Sequence, residues 1–143
     1  MATKIMSKVI IRTAVEADIP ELAQFIRPFV EDGHLLPRTI DELGELIPSF
    51  FIADMDGRIV GCAALEIYSP KLAEIRSLAV DPNARGHGIG KLLVEACLAR
   101  AREQNVFEVM AITTTDGFFK ACGFDYTLPG MKRAVFMQMR DKH

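Results

Sequence analysis

The chain opens on a run of β-branched and apolar residues, KVIIRTAV at 8–15, which predicts a strand. The period then changes. Leu22, Ile26, Phe29 and Val30 recur at helical spacing, with Asp18 as a cap and Pro20 in the first turn. Pro28 is expected to kink or end that helix, and EDGHLLPR at 31–38 to form a loop. Thr39-Ile40-Asp41-Glu42 has the form of a capping box, so a short second helix should run to about Ile47, before Pro48. SFFIADM at 49–55 and RIVGCAALEIY at 58–68 flank Asp56-Gly57, a hairpin signal, and AEIRSLAV at 73–80 predicts a further strand. A glycine-rich turn leads into an amphipathic helix to about Gln104. VFEVMAITT at 106–114 reads as a strand, DGFFKAC as a short helix with Gly123 at its C′ position, and AVFMQMR at 134–140 as a closing strand. This order predicts an α+β fold: a mixed, mostly antiparallel sheet with flanking helices, one domain over residues 1–143.

Composition narrows the classes. Of 143 residues, 50% are hydrophobic and 25% charged, and the net charge of −2 gives no basic field for nucleic acid. No apolar run approaches a membrane span, and the N-terminal stretch lacks the long apolar core of a signal peptide. Cys62, Cys97 and Cys122 are odd in number and widely spaced, which fits neither a disulfide framework nor a metal site and suggests small buried hydrophobes in a reducing, cytoplasmic setting. His34 and His87 have no paired ligand spacing, so no metal is expected.

The chemistry concentrates where Gly86, Gly88 and Gly90 precede a helix. Glycine admits positive φ and close approach of backbone to a ligand. A helix start offers unpaired N–H groups and the positive end of the helix dipole. A strand, a glycine turn and a helix start therefore make an anion site, typically for phosphate, although a tight turn alone would read the same way. The spacing is neither GxGxxG nor a P-loop, since Leu92 follows Gly90-Lys91.

The segment Arg85-Gly86-His87-Gly88-Ile89-Gly90 resembles the R/Q-x-x-G-x-G/A acetyl-CoA motif of the GNAT N-acetyltransferases. The preceding strand ends in LAV and Asp81-Pro82, and FFKACGF at 118–124 resembles that family's YxxxGF segment. The resemblance implies the GNAT fold with a splayed central strand pair and acetyl-CoA as co-substrate. It implies that backbone groups from Arg85, Gly86, His87, Gly88, Ile89, Gly90 and Lys91 hold the pyrophosphate, and that Leu78, Ala79 and Val80 pair with the pantetheine arm as an added strand. An amide near Ser77 or Leu78 would polarise the thioester carbonyl.

One position departs from the family. Where many members place a tyrosine that protonates the leaving thiolate, this chain has Phe119. Thr113, at the end of the expected strand, is a candidate donor, and a β-branched strand residue would read the same way. GHLLPRTIDELGELI, AEIRSLAV and Phe118-Phe119 are similar to the acetyltransferase domain of N-acetylglutamate synthases. That similarity implies Arg38 as partner of the substrate carboxylate, Glu74 as general base, and Lys132 and Arg133, after Leu128-Pro129, as further substrate contacts. Strand alternation places Glu74, Arg76, Leu78 and Val80 on one face, with Arg76 beside the substrate. The expected partner is a small amino acid, with a homodimer left open. Three functions remain at this stage: acetyl transfer to the α-amine of L-glutamate, the same chemistry on another amine, and an acyl-CoA sensor without turnover.

Overall fold

The computed structural model describes residues 8–126 and 134–139. Two compact units divide the chain, Met1–Thr113 and Thr114–His143. In the first, β1 (Val9–Thr13), β2 (Phe50–Met55), β3 (Arg58–Ser69), β4 (Leu72–Val80) and β5 (Glu108–Met110) lie side by side in chain order. The first three junctions are antiparallel and the last is parallel. A parallel neighbour needs a crossover, which α3 (Ile89–Glu103) supplies. The β2–β3 turn has positive φ at both Asp56 (54°) and Gly57 (84°), the geometry that Asp-Gly favours.

α1 (Ile19–Glu31) and α2 (Ile40–Leu46) cover one face of the sheet. Leu22, Ile26 and Leu43 pack there with Phe50, Ile52, Cys62, Ala64 and Ala79 in one buried cluster. On the other face Gly61 lets α3 come close, since a Cβ at that position would lie 3.0 Å from Ile89 Cγ2 and 3.1 Å from Leu93 Cδ1. That contact pins the first turns of α3 against β3. No described helix is long and apolar enough to cross a membrane.

The capping box forms as expected: Thr39 Oγ1 accepts from the Glu42 N–H at 3.1 Å, and Glu42 Oε1 accepts from the Thr39 N–H at 2.9 Å. It fixes the chain one residue after Arg38. Pro28, by contrast, does not stop α1, which continues to Glu31. A proline forfeits its own N–H bond and crowds the carbonyl four residues back, but leaves its own carbonyl free to accept. Its carbonyl still accepts from Asp32 N–H at 3.0 Å, and the chain turns away only at Gly33, where φ is 79°.

Two expected strands are corrected. The one over 106–114 contracts to Glu108–Met110, because only Leu72, Ala73 and Glu74 offer it a ladder. β-propensity without a partner does not make a strand. In the second unit, residues 134–139 form no strand and are exposed, and Arg140 lies outside the described residues. That unit also holds α4 (Asp116–Ala121), with Gly123 at φ 97° after it. There the buried Phe119 ring meets Phe118 and Phe124 edge to face at 5.1 and 5.2 Å.

Candidate active site

β4 changes character halfway along. Cys62 pairs with Ala79 and Ala64 with Arg76, so Ser77 and Leu78 together oppose Ala63 alone. This is a β-bulge. Ser77 has φ 56°, a left-handed conformation rare for a residue with a side chain. The Cys62 thiol donates to the Ser77 carbonyl at 3.2 Å. Burial pushes that thiol's pKa up to about 12, so it keeps the proton it donates.

The bulge corrects the expected facing. Directly paired residues share a face. Glu74 pairs with Glu66, Arg76 with Ala64, and Ala79 with Cys62, so these three β4 residues look toward α1 and α2. Leu78 and Val80 fall on the opposite face. β5 leaves the ladder after Met110, opposite Glu74, so from Ile75 to Val80 the β5-side edge of β4 has no ladder partner among the described residues. The strand pair is splayed, and an extended chain can join the open edge.

β4 then runs through Asp81 into the glycine turn. Gly86 has φ 92° and Gly88 φ 69°, and nothing lies within 4 Å of where a Cβ would stand on either. Gly88 caps α3, whose first intrahelical bond runs from Leu92 N–H to Gly88 carbonyl at 3.0 Å. The N–H groups of Ile89, Gly90 and Lys91 therefore have no acceptor within the helix. An uncrowded glycine turn followed by the unpaired N–H groups of a helix start fits the pyrophosphate of acetyl-CoA. Arg85, His87 and Lys91 are exposed around it.

On the α1–α2 face lies a compact group of charges. Glu66 and Glu74 are directly opposed, an arrangement that repels without compensation. Arg76 Nη1 stands 3.2 Å from Glu66 Oε2, and Arg38 Nη2 stands 3.6 Å from Glu66 Oε1. The Tyr68 hydroxyl lies 2.5 Å from Glu74 Oε1 and 3.1 Å from Glu66 Oε2. A hydroxyl has one proton to give, and the shorter contact directs it to Glu74. Partial burial and then the two carboxylates push the Tyr68 pKa up, so it remains a donor at neutral pH. Burial opposes the charge on Arg76, but Glu66, Glu74 and Tyr68 together outweigh it and the pKa rises above the usual arginine value. Arg38 is the under-used member. Its side chain is only 11% exposed, its ion pair is longer than a hydrogen bond, and its Nε is buried with no hydrogen-bond partner. A largely buried guanidinium with donors to spare can receive a carboxylate.

Sequence reasoning singled out Arg38, Glu74 and Arg76, and the structure groups them around Glu66. It missed Glu66 and Tyr68. The signal was the short turn at Pro70 and Lys71, which sets Glu66 across from Glu74 and Tyr68 beside them. Thr113 is exposed, beyond the end of β5 rather than in it. Lys132 and Arg133 lie outside the described residues. A separate hollow of about 420 Å³ on the α3 side, lined by Leu65, Ile67 and Arg100 among others, is away from this group. Its Arg100 already donates to the Pro48 carbonyl at 3.0 Å and stacks on Phe51. Among the described residues no three His, Cys, Asp or Glu side chains are grouped to hold a metal ion.

Comparison with known proteins gives the class. Residues 17–124 match the family model described as Acetyltransferase (GNAT) family, and the chain belongs to that family. Within it, an uncharacterised N-acetyltransferase of Chlorobaculum tepidum is 41% identical over 114 residues, 80% of this chain and 74% of its own. The amino-acid acetyltransferase of Pasteurella multocida is 36% identical over 91% of this chain, which spans only 31% of that enzyme. The fold superimposes on N-acetylglutamate synthase from Neisseria gonorrhoeae, solved with coenzyme A and N-acetyl-glutamate. The TM-score is 0.73 at 36% identity, covering 84% of this chain and 28% of that one. Acetyl-CoA is the co-substrate of the family, and the glycine turn has the form to receive it.

Proposed function

We propose that the protein transfers acetyl from acetyl-CoA to the α-amine of an amino acid, with L-glutamate the favoured acceptor, as a step of arginine biosynthesis in the cytoplasm. The observation that carries this reading is the largely buried Arg38 side chain with its buried, unpartnered Nε, joined through Glu66 to the face that holds Glu74. A carboxylate receptor and a base on one face suit an α-amino acid, whose carboxylate and ammonium are separated by one carbon.

Each residue then has a task. Acetyl-CoA, seated at Gly86–Lys91, supplies an activated acetyl thioester. Arg38 orients the acceptor carboxylate with its planar fork, and Arg76 adds positive charge beside it. Glu74 takes the proton that the acceptor amine must lose before it attacks. Lys132 and Arg133 are proposed to meet a second acceptor carboxylate. Sequence relatives named as amino-acid acetyltransferases support the acceptor class.

A thiol-release assay with acetyl-CoA against a panel of acceptors tests this. Free thiol is expected to appear fastest with glutamate, ahead of glutamine, aspartate and lysine. Preference for a polyamine or a peptide amine would move the acceptor class, and no acceptor-dependent thiol at all would leave a sensor.

The glycine turn is tested by Gly88→Val. A β-branched residue at φ 69° is strained by about 1–3 kcal/mol, and relief of that strain deforms the N–H cradle. Acetyl-CoA affinity, measured by calorimetry, should fall roughly ten- to a hundredfold while the thermal midpoint shows a folded protein. An unchanged affinity in the folded variant would remove the turn from the site.

A further inference from the structure

Tyr68 is the extra residue of a second bulge. Ile67 pairs with Ala73 and Ser69 with Leu72, which leaves Tyr68 with no partner in β4. The bulge lies one rung beyond the Glu66–Glu74 pair. The side chain contributes little to the core, since the residue is 53% exposed. Its specific contacts are instead polar: the hydroxyl at 2.5 Å from Glu74 Oε1 and 3.1 Å from Glu66 Oε2. Glu66 already has two arginines, so the single phenolic proton serves Glu74.

We propose that Tyr68 is a positioning residue for the acceptor chemistry: its hydroxyl holds Glu74 by Oε1, so that the carboxylate keeps one orientation and meets the acceptor amine with Oε2. This inference rests on the reading of Glu74 as the base. The physical need is clear from the pairing. Glu74 faces another carboxylate directly, and without a donor between them repulsion would swing it away from the face it must serve. A base displaced by an ångström loses much of its rate advantage. The same contact explains why an exposed aromatic ring stands at the strand end.

Kinetics of Tyr68→Phe, Glu74→Gln and the double variant test the inference. Tyr68→Phe should lower kcat roughly ten- to a hundredfold, the scale of one hydrogen bond to a charged group, with the KM for acetyl-CoA and the thermal midpoint unchanged. In the Glu74→Gln background the same substitution should cost nothing further, because Tyr68 acts through Glu74. Wild-type kcat in Tyr68→Phe would overturn the inference, as would an equal loss in both backgrounds. A loss that falls on the thermal midpoint and both KM values together would make Tyr68 structural and overturn it too. Wild-type turnover in Glu74→Gln would bring down the base reading and this inference with it. The other failures leave Glu74→Gln slow, so the two levels are told apart.

Discussion

Glu74→Gln is expected to lower turnover by about 10²- to 10⁴-fold while acetyl-CoA binds as before. The amide keeps the side chain's size and still accepts the Tyr68 proton, so the local geometry survives. What it loses is the capacity to take a proton from an ammonium group. The acceptor amine, protonated in water at neutral pH, must then lose its proton to solvent before it attacks. The glycine turn lies on another stretch of chain, and its affinity for the co-substrate has no reason to change. The acidic limb of the pH–rate profile should flatten in the variant. Steady-state rates measured from about pH 5.5 to 9 check both effects. Wild-type rates with an unaltered profile would leave Glu74 as half of a structural ladder pair and no more.

Arg38→Ala should raise the KM for glutamate and lower kcat/KM by roughly ten- to a hundredfold, the loss of one charge-assisted contact of about 1.5–3 kcal/mol. Arg38→Lys should fall between alanine and wild type, because it restores charge without the fork. The KM for acetyl-CoA should stay near its wild-type value in both. Arg76 still neutralises Glu66 in these variants, so the strand pair keeps its compensation. Initial-rate measurements with each substrate varied in turn separate the two KM values. A wild-type glutamate KM in the alanine variant would make Arg38 a partner of Glu66 alone and remove the most specific support for an acidic acceptor.

What was legible in the sequence was local. Asp56-Gly57 makes its turn with two positive φ values because the dipeptide permits it, and Thr39 and Glu42 close their box because they are three residues apart. The glycines of 86 and 88 announced their backbone in the same way. What was hidden depends on neighbours distant in sequence. The alternation of Glu74, Arg76, Leu78 and Val80 looks regular, and only the ladder to β3 shows that Ser77 breaks it. A serine at φ 56° leaves no mark in composition. Val106 to Thr114 has strand character throughout, but β4 offers three rungs and the strand is three residues long. Tyr68 read only as the last residue of a strand until the hairpin register put it between two carboxylates.

The break at Ser77 has a further consequence for how such a protein can change. In the proposed reaction a single strand carries both halves, yet the two halves are out of phase. Glu74 and Arg76, before the break, look into the layer proposed to receive the acceptor, whereas Leu78 and Val80, which lead to the glycine turn, look into the layer beneath α3. Without the break they would share one layer, and enlarging a side chain for a new acceptor would crowd the co-substrate side. With it, position 76 can drift toward other acceptors, Glu74 being kept as the proposed base, while the adjoining segment stays constant. One residue of phase shift thus separates the part of the strand free to diversify from the part obliged to persist.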